Sequence, residues 1–218
     1  MAKRCVVGVD EVGRGCLYGG VTAAAVVLPP ECPDANPLWA AIRDSKKVSE
    51  KKRPLVAAYI KEVAITYGVG EASREEIDKD NILQATMTAM HRAIDEAWRR
   101  APEGVRIEAI EVDGTYFTHY MPPGRGEDAL SHTCIPKGDD KVRSIAAASI
   151  LAKVARDAWI VEHAAAHQEL GVYQLAKNKG YGTAAHMAAI RRYGIQDGHR
   201  RTFQPIAAMV AAGLADAD

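Results

Sequence analysis

Residues 5–28 of the chain read CVVGVDEVGRGCLYGGVTAAAVVL, and this stretch decides the fold that we expect. Two β-prone runs, residues 5–9 and residues 21–28, stand on either side of a link that carries four glycines between positions 13 and 20. Apolar and β-branched runs separated by glycines are typical of strands joined by a turn. The stretch therefore predicts two neighbouring antiparallel strands.

The most regular helical pattern in the sequence begins at Ser73. Ser73 and Glu76 match the S-x-x-E capping box, in which two side chains satisfy amides that the start of a helix leaves without partners. Apolar residues then recur at steps of three and four, which places them on one face of a helix. Such a stripe is typical of a core-facing helix, and its members are Leu83, Met87, Met90, Ile94 and Trp98.

The remaining elements follow from the same patterns. A charged stretch that opens at Ser49 suits a short exposed helix to about Lys61, and Ala-rich composition predicts a long helix over 144–167. The other predicted elements are strands over 63–69 and 105–112, a polar loop over 118–133 and a helix over 183–193. Strands followed by helices that alternate with strands imply a mixed α/β architecture in a single domain, residues 1–218.

The formal charge of the chain is balanced, with 28 Lys and Arg against 28 Asp and Glu. Overall charge therefore identifies no binding partner. The basic side chains are unevenly placed, because residues 177–201 hold six Lys or Arg and a single acid, Asp197. This stretch is either a phosphate-binding face or a solvated helix face followed by a basic segment, and the sequence leaves both readings open.

The cysteines and the N-terminus indicate the compartment. Four cysteines at positions 5, 16, 32 and 134 form no C-x-x-C pair, which favours free thiols in a reducing environment over disulfides or a zinc site. The first residues lead directly into a strand pattern without a signal peptide, and no apolar run approaches the ~20 residues of a membrane span. We expect a cytoplasmic protein.

Acidic residues stand where predicted strands end and where the long helix begins. Asp10 and Glu11 end the first strand, Asp113 ends another, and Asp139 and Asp140 precede the Ala-rich helix. Because successive strand residues point to opposite faces, Asp10 and Glu11 can share a site only if the chain leaves strand geometry directly after Asp10. Four clustered carboxylates repel each other without cations, so the pattern indicates a site for two divalent metal ions. The alternative is that these acids only cap turns and a helix start.

Two other motifs predict less. The glycines of residues 13–19 loosely resemble a dinucleotide-binding turn, but that turn must open a helix, whereas residues 21–28 are β-prone. His163 and His167 have the i, i+4 spacing of a zinc site without the Glu that a zincin places after its first His, so helix packing is favoured. Arg14 between two glycines instead suggests close backbone contact beside a phosphate-compatible guanidinium.

Six ordered motifs together resemble one family, ribonuclease HII, the bacterial type 2 ribonuclease H. They cover a core from residue 6 to residue 203 and leave a short tail, residues 204–218, outside. The motifs are Asp-Glu-Val-Gly-Arg-Gly at 10–15, Asp-Ser-Lys-Lys at 44–47, Asn-Ile-Leu-Gln-Ala-Thr at 81–86, Lys-Gly-Asp at 137–139, Gly-Tyr-Gly-Thr at 180–183 and His-Arg-Arg-Thr-Phe at 199–203.

The resemblance implies a ribonuclease H-like α/β fold, a central mixed β-sheet flanked by helices, with a C-terminal helical segment. It implies an endonuclease that uses two Mn²⁺ or Mg²⁺ ions to hydrolyse the RNA strand of RNA–DNA hybrids. It further implies incision on the 5′ side of single ribonucleotides embedded in duplex DNA. RNA–DNA hybrid and ribonucleotide-containing duplex DNA would be the partners of a monomer that binds no membrane. A binding module without catalysis is the alternative, and the presence of all four acids favours the enzyme.

Residue by residue, the resemblance assigns two sets of site positions. The catalytic and metal-binding residues that it implies are Asp10, Glu11, Asp113 and Asp139. The nucleic-acid-binding residues that it implies are Gly13, Arg14, Gly15, Ser45, Lys46, Lys47 and Tyr181. Asp140 stands where the family usually has a small or polar residue. The sequence also departs from the family at residues 16–20 and in the length of the stretch between Asp113 and Asp139.

Overall fold

A computed structural model of the chain describes residues 3–43, 45–122 and 129–213. Asp44 of the second motif, the insertion around Gly124 and Arg125, and the end of the tail lie outside the described residues. The chain forms two compact units. The first unit comprises residues 1–12, 22–71 and 86–155, and the second comprises residues 13–21, 72–85 and 156–218.

The first unit contains a mixed β-sheet. In the described residues the sheet has five strands in the order β3-β2-β1-β4-β5. They are β1 (Lys3–Val12), β2 (Val21–Val27), β3 (Thr66–Ala72), β4 (Val105–Asp113) and β5 (Ser131–Ile135). Strand β1 pairs antiparallel with β2 and parallel with β4, and β4 pairs parallel with β5. The predicted antiparallel strand pair and the mixed α/β fold class are confirmed.

Two strand predictions are wrong in detail. Strand β1 continues to Val12, and Asp10 and Glu11 pair with Ala24 and Ala23 of β2, so the chain does not leave strand geometry after Asp10. Pairing with residues 22–26 of β2 holds these two acids in the strand. The predicted polar loop over 118–133 also ends early, because β5 begins at Ser131. Its polar sequence carries little local strand signal, and pairing with β4 determines its conformation.

The helices largely follow the predicted pattern. The described residues form α1 (Arg53–Val63), α2 (Arg74–Arg100), α3 (Gly138–Lys141), α4 (Arg143–Ala166), α5 (Leu175–Asn178), α6 (Ala184–Tyr193) and α7 (Ile206–Ala211). Short 3₁₀ helices cover Trp39–Ala41, Ser45–Lys47 and Gln168–Tyr173. The long Ala-rich helix and the helix over 183–193 are confirmed as α4 and α6. Helix α1 begins at Arg53 rather than Ser49, and it is not simply exposed, because Val56 and Ile60 are fully buried.

Helix α2 has the predicted start and an interruption that the pattern did not predict. The Ser73 amide donates to Glu76 at 2.8 Å and the Glu76 amide donates to the Ser73 hydroxyl at 3.3 Å, which confirms the capping box. Asn81 has a φ of 72° and its side-chain oxygen accepts hydrogen bonds from the amides of Leu83 and Gln84. The Asn81 side chain thus caps the turn that follows it, and the second part of α2 begins there.

Close packing of α4 against β1 shapes the core of the first unit. A Cβ atom at Gly8 would lie 2.4 Å from the carbonyl carbon of Ser144 and 2.5 Å from the amide nitrogen of Ile145. Only glycine therefore lets the start of α4 approach β1 this closely. The buried core also includes Ala24, Val26, Trp39, Val56, Ile60, Ala147, Ile150 and Leu151, and from the predicted stripe Met87, Met90 and Ile94.

The second unit has a separate apolar core. Residues from the glycine-rich link, from the end of α4 and from the C-terminal helices bury one another there. The members include Leu17, Tyr18, Ile160, Leu170, Tyr173, Leu175, Ile190 and Ile206. Across both units, none of the helices in the described ranges combines the length and apolarity needed to cross a membrane.

Candidate active site

Two of the predicted metal ligands lie at the same edge of the sheet. Strands β1 and β4 run parallel, with Val9 opposite Val112, so the next residues along the two strands are Asp10 and Asp113. Strand register, rather than sequence proximity, brings these two carboxylates together. Asp10 is only 5% exposed, and Asp113 is partly buried.

The third carboxylate follows from a contact at the end of β4. The Gly138 amide donates a hydrogen bond of 2.7 Å to Asp113 Oδ1, which ties the start of α3 to the strand end. A Cβ atom at Gly138 would lie 2.7 Å from Ile145 Cδ1, so glycine suits this close contact. Asp139 is the next residue and lies in the first turn of α3. The Lys-Gly-Asp motif thereby places Asp139 one residue from a direct contact with Asp113.

The charge on Asp10 is unfavourable in this environment. Burial raises the pKa of Asp10 well above its usual value, and the neighbouring charges of Glu11 and Asp113 raise it further. A hydrogen bond from the Ser149 hydroxyl and one of 2.7 Å from the Glu11 amide oppose this rise. A buried carboxylate next to two other acids is an environment that a cation stabilises. The donor set fits a hard divalent ion, because such ions prefer carboxylate oxygens.

Glu11 follows Asp10 in a continuous strand, and because its charge acts on Asp10, its carboxylate lies within electrostatic reach of the site. Within residues 3–43, 45–122 and 129–213, no three His, Cys, Asp or Glu side chains are placed to hold one metal ion. The structure thus brings Asp10 and Asp113 together, with Glu11 and Asp139 beside them in the chain.

The Ser45–Lys47 segment connects to the acids through α4. The Oγ atoms of Ser45 and Ser149 lie 2.9 Å apart in a hydrogen bond, and Ser149 in turn contacts Asp10. Ser45 is 5% exposed, so it supports Ser149 from within the protein, and its predicted contact with nucleic acid stays a prediction. Lys46 and Lys47 are exposed.

Asp140 has a different partner from the acids at the sheet edge. It is exposed and forms an ion pair with Lys47. The hydrogen bond from the Lys47 ammonium group lowers the pKa of Asp140, and the positive charges of the nearby lysines lower it further. Asp140 is therefore paired with a lysine, and the assignment of its neighbour Asp139 to the metal site stays a prediction.

In the second unit, two buried arginines hold the glycine-rich segment from which Gly13, Arg14 and Gly15 come. Arg200 donates to the carbonyl oxygens of Gly13 and Arg14, both at 2.7 Å. Arg156 donates to the carbonyl oxygens of Tyr18 at 3.0 Å and Lys179 at 2.8 Å. The sequence did not predict this role for either arginine, although Arg200 belongs to the His-Arg-Arg-Thr-Phe motif.

Tyr181 lies next to the same segment. It forms an isolated antiparallel β-bridge with Cys16, and the Leu17 amide donates to the Gly180 carbonyl at 2.8 Å. The Tyr181 side chain is 38% exposed, so one part of the ring is available for contact. The structure thus places Tyr181 opposite Cys16, the residue after Gly15, although more than 160 positions of sequence separate them.

The basic stretch over 177–201 is not a uniform cationic face. Arg200 is fully buried, so it cannot contact a phosphate directly. His199 and His186, from the same stretch, are also fully buried, and burial lowers the pKa of both, to about 4 for His199. His163 stacks on Trp159 with ring centroids 4.9 Å apart, consistent with the predicted packing role.

Solved structures with the same fold define the class of protein. The crystal structure of the ribonuclease H2 from Pyrococcus horikoshii OT3 aligns with a TM-score of 0.72 and 22% identity, over 95% of this chain and 98% of that chain. The crystal structure of Bst-RNase HIII in complex with Mn²⁺ aligns with a TM-score of 0.69 and 18% identity, over 97% of this chain and 70% of that chain. The chain has the fold of the type 2 ribonucleases H.

Sequence relatives define the family. A family model described as Ribonuclease HII matches residues 7–206. The Ribonuclease HII of Chromobacterium violaceum is 46% identical over 211 residues, which is 96% of each chain. That of Christiangramia forsetii is 44% identical over 202 residues, 93% of this chain and 91% of the relative. The chain belongs to the ribonuclease HII family, and it is accordingly a hydrolase of the ribonuclease H type.

Proposed function

We propose that the protein is a metal-dependent endonuclease that hydrolyses the RNA strand of RNA–DNA hybrids and incises duplex DNA on the 5′ side of embedded ribonucleotides. The observation that carries this proposal is the pairing of Asp10 and Asp113 on adjacent parallel strands, with the charge of Asp10 buried. Membership of the ribonuclease HII family supports it.

Asp10, Glu11, Asp113 and Asp139 are the proposed ligands of two Mn²⁺ or Mg²⁺ ions. When bound, such ions activate a water molecule and stabilise the charge that develops at the phosphorus atom. The protein supplies the orientation, since the Glu11 amide and the Ser149 hydroxyl fix Asp10 and the Gly138 amide fixes Asp113. A fold relative, the RNase HIII named above, was crystallised with Mn²⁺, which is consistent with this assignment.

Gly13, Arg14, Gly15 and Tyr181 are the proposed readers of the ribonucleotide. The ribose 2′-hydroxyl distinguishes RNA from DNA, and a glycine backbone permits close approach to it. Gly15 is exposed and has open space around its Cα, so a sugar can approach it. The Tyr181 ring would pack on the deoxyribose that follows, and Lys46 and Lys47 would contact phosphates.

A nicking assay tests this function directly. We expect the protein to cut a labelled DNA duplex that carries one ribonucleotide when Mg²⁺ or Mn²⁺ is present, and to leave it intact in EDTA. An all-DNA duplex of the same sequence is the matched control and should stay intact with either ion. Binding of the ribonucleotide duplex without cleavage under both metals would instead favour a binding module.

Substitution of Tyr181 tests junction recognition. Loss of a stacking contact costs about 1–3 kcal/mol, so Tyr181→Ala should lower turnover at a lone ribonucleotide by about 5- to 150-fold. Cleavage of an all-RNA strand paired with DNA should fall less, because neighbouring ribonucleotides offer alternative registers. The measurement is kcat and KM on both substrates.

Tyr193→Ala is the matched control for this substitution, because Tyr193 is also 38% exposed but lies on α6, where Arg192 stacks on its ring. Its turnover on both substrates should equal that of the wild type. Unchanged incision by Tyr181→Ala at the lone ribonucleotide would remove Tyr181 from the site.

A further inference from the structure

Arg200 is a fully buried cation, and its hydrogen bonds within the described ranges all go to backbone carbonyl groups. Its guanidinium donates to Gly13 O at 2.7 Å, Arg14 O at 2.7 Å, Gly19 O at 2.8 Å and Gly20 O at 2.9 Å. The ring of Phe203 covers the guanidinium, whose central carbon lies 4.9 Å from the ring centroid. One side chain thereby fixes both ends of the glycine-rich segment.

These hydrogen bonds determine the direction of the intervening amides. A trans peptide unit is planar, and its C=O and N–H groups point in opposite directions. The carbonyls of Gly13 and Arg14 point inward to Arg200, so the N–H groups of Arg14 and Gly15 point away from it. Both residues are exposed, and no hydrogen bond in the described part of the chain uses the Gly15 amide. Successive outward amides of this kind form a small concave site for an anion.

The charge of Arg200 strengthens this site. Burial lowers the pKa of Arg200 to about 10, which still leaves the guanidinium protonated at neutral pH. Arg200 has no ion pair with a carboxylate among the described residues, and Arg156, the second buried arginine of this segment, has none either. A cation that binds a carbonyl polarises the whole peptide unit, and this makes the N–H on its other side a stronger donor.

We propose that Arg200 is a positioning residue, which turns the Arg14 and Gly15 amides outward so that they bind a backbone phosphate of the nucleic acid. Arg200 acts through the peptide units and does not touch the substrate. The proposal rests on the proposed function, because it assigns one phosphate contact within the same substrate. It differs from a packing role, because it requires both the fork of the guanidinium and a charged phosphate on the ligand.

The test compares the wild type with Arg200→Lys on duplexes in which an uncharged methylphosphonate replaces one backbone phosphate. Lysine keeps the charge but cannot bind four carbonyls in a planar fork. Affinity is measured in Ca²⁺ for duplexes that carry one ribonucleotide and a single methylphosphonate at each linkage in turn. In the wild type, a methylphosphonate at one of these linkages should weaken binding by about 10-fold or more, as expected for the loss of a hydrogen bond to a charged group. In Arg200→Lys, the same methylphosphonate should have little effect, because the contact between the amides and that phosphate is already lost.

Arg99→Lys is the matched control, since Arg99 is exposed and forms an ion pair with Glu96 on the surface of α2. Its methylphosphonate profile should equal that of the wild type. A folded Arg200→Lys protein with the wild-type profile would overturn the proposal. A wild-type protein that neither binds nor cuts the ribonucleotide duplex would overturn the proposed function instead.

A second pair of variants keeps the test valid if Arg200→Lys does not fold. Gly15→Pro removes the amide hydrogen, whereas Gly15→Ala keeps it, and both substitutions place side-chain atoms in the space through which the sugar would approach. A methylphosphonate at the sensitive linkage should still weaken binding by Gly15→Ala, and it should not change binding by Gly15→Pro. Equal profiles for these two variants would show that the Gly15 amide binds no phosphate.

Discussion

Asp10→Asn and Asp113→Asn should each reduce cleavage more than about 10³-fold while the protein still binds the hybrid. A neutral amide is a poor ligand for a divalent ion and cannot compensate its charge, so the water and the phosphate lose their electrostatic stabilisation. Binding should persist because the proposed nucleic-acid contacts lie on other residues. The measurements are single-turnover cleavage and hybrid affinity. Asp80→Asn, an exposed acid of α2, is the control and should cleave normally.

Asp10→Asn should increase the stability of the fold, although it reduces cleavage. The folded protein raises the pKa of Asp10 above its ordinary value of 3.8, so the folded state holds the proton more tightly than the unfolded state. Ionisation of Asp10 therefore destabilises the fold as the pH rises above 3.8, and the penalty is complete above the raised pKa. In EDTA at neutral pH, Asp10→Asn should have a higher Tm than the wild type, and the difference should shrink as the pH falls.

Metal addition completes this prediction. Mg²⁺ or Mn²⁺ should raise the Tm of the wild type more than that of Asp10→Asn, because the ions bind the folded state through this carboxylate. Near-wild-type turnover in either Asn variant would contradict the metal-site assignment.

Asp139→Asn should also be inactive and Asp140→Asn active, since Asp140 pairs with Lys47. The reverse result would exchange the roles of these neighbours.

The second large effect is expected from Gly8→Ala. The added methyl group would lie 2.4 Å from the Ser144 carbonyl carbon, and a backbone atom cannot rotate away. Helix α4 must then shift relative to β1, at a cost of about 1–3 kcal/mol, which corresponds to a fall in Tm of roughly 2–12 °C for a protein of this size. Cleavage should fall too, because the shift moves Ser149 of α4 away from Asp10 of β1.

Thermal unfolding and cleavage below the transition of the variant test this expectation. Gly171→Ala is the matched control, since a Cβ atom at Gly171 meets nothing within 4 Å. It should unfold at the wild-type temperature and retain activity. A Gly8→Ala protein with unchanged Tm would show that the contact between α4 and β1 is not as close as the structure places it.

Local patterns in the sequence determined the elements that position the acids. Alternation and β-branching predicted β1 and β2, the capping box predicted the start of α2, and alanine content predicted α4. The four acids were recognisable as well, because each stands where a predicted strand ends or just before the predicted long helix. Resemblance to a family then assigned them to one site.

Tertiary pairing decided the rest, because it depends on contacts between residues that are far apart in sequence. Strand β5 forms beside β4 despite its polar sequence, and pairing with β2 keeps Asp10 and Glu11 in a continuous strand. Arg200 was read as part of a basic stretch, yet it is buried beneath a segment more than 180 positions earlier. Charge in the sequence does not reveal whether a guanidinium meets water or carbonyl oxygens. Only the folded chain supplies those carbonyls, and with them the direction of the Arg14 and Gly15 amides.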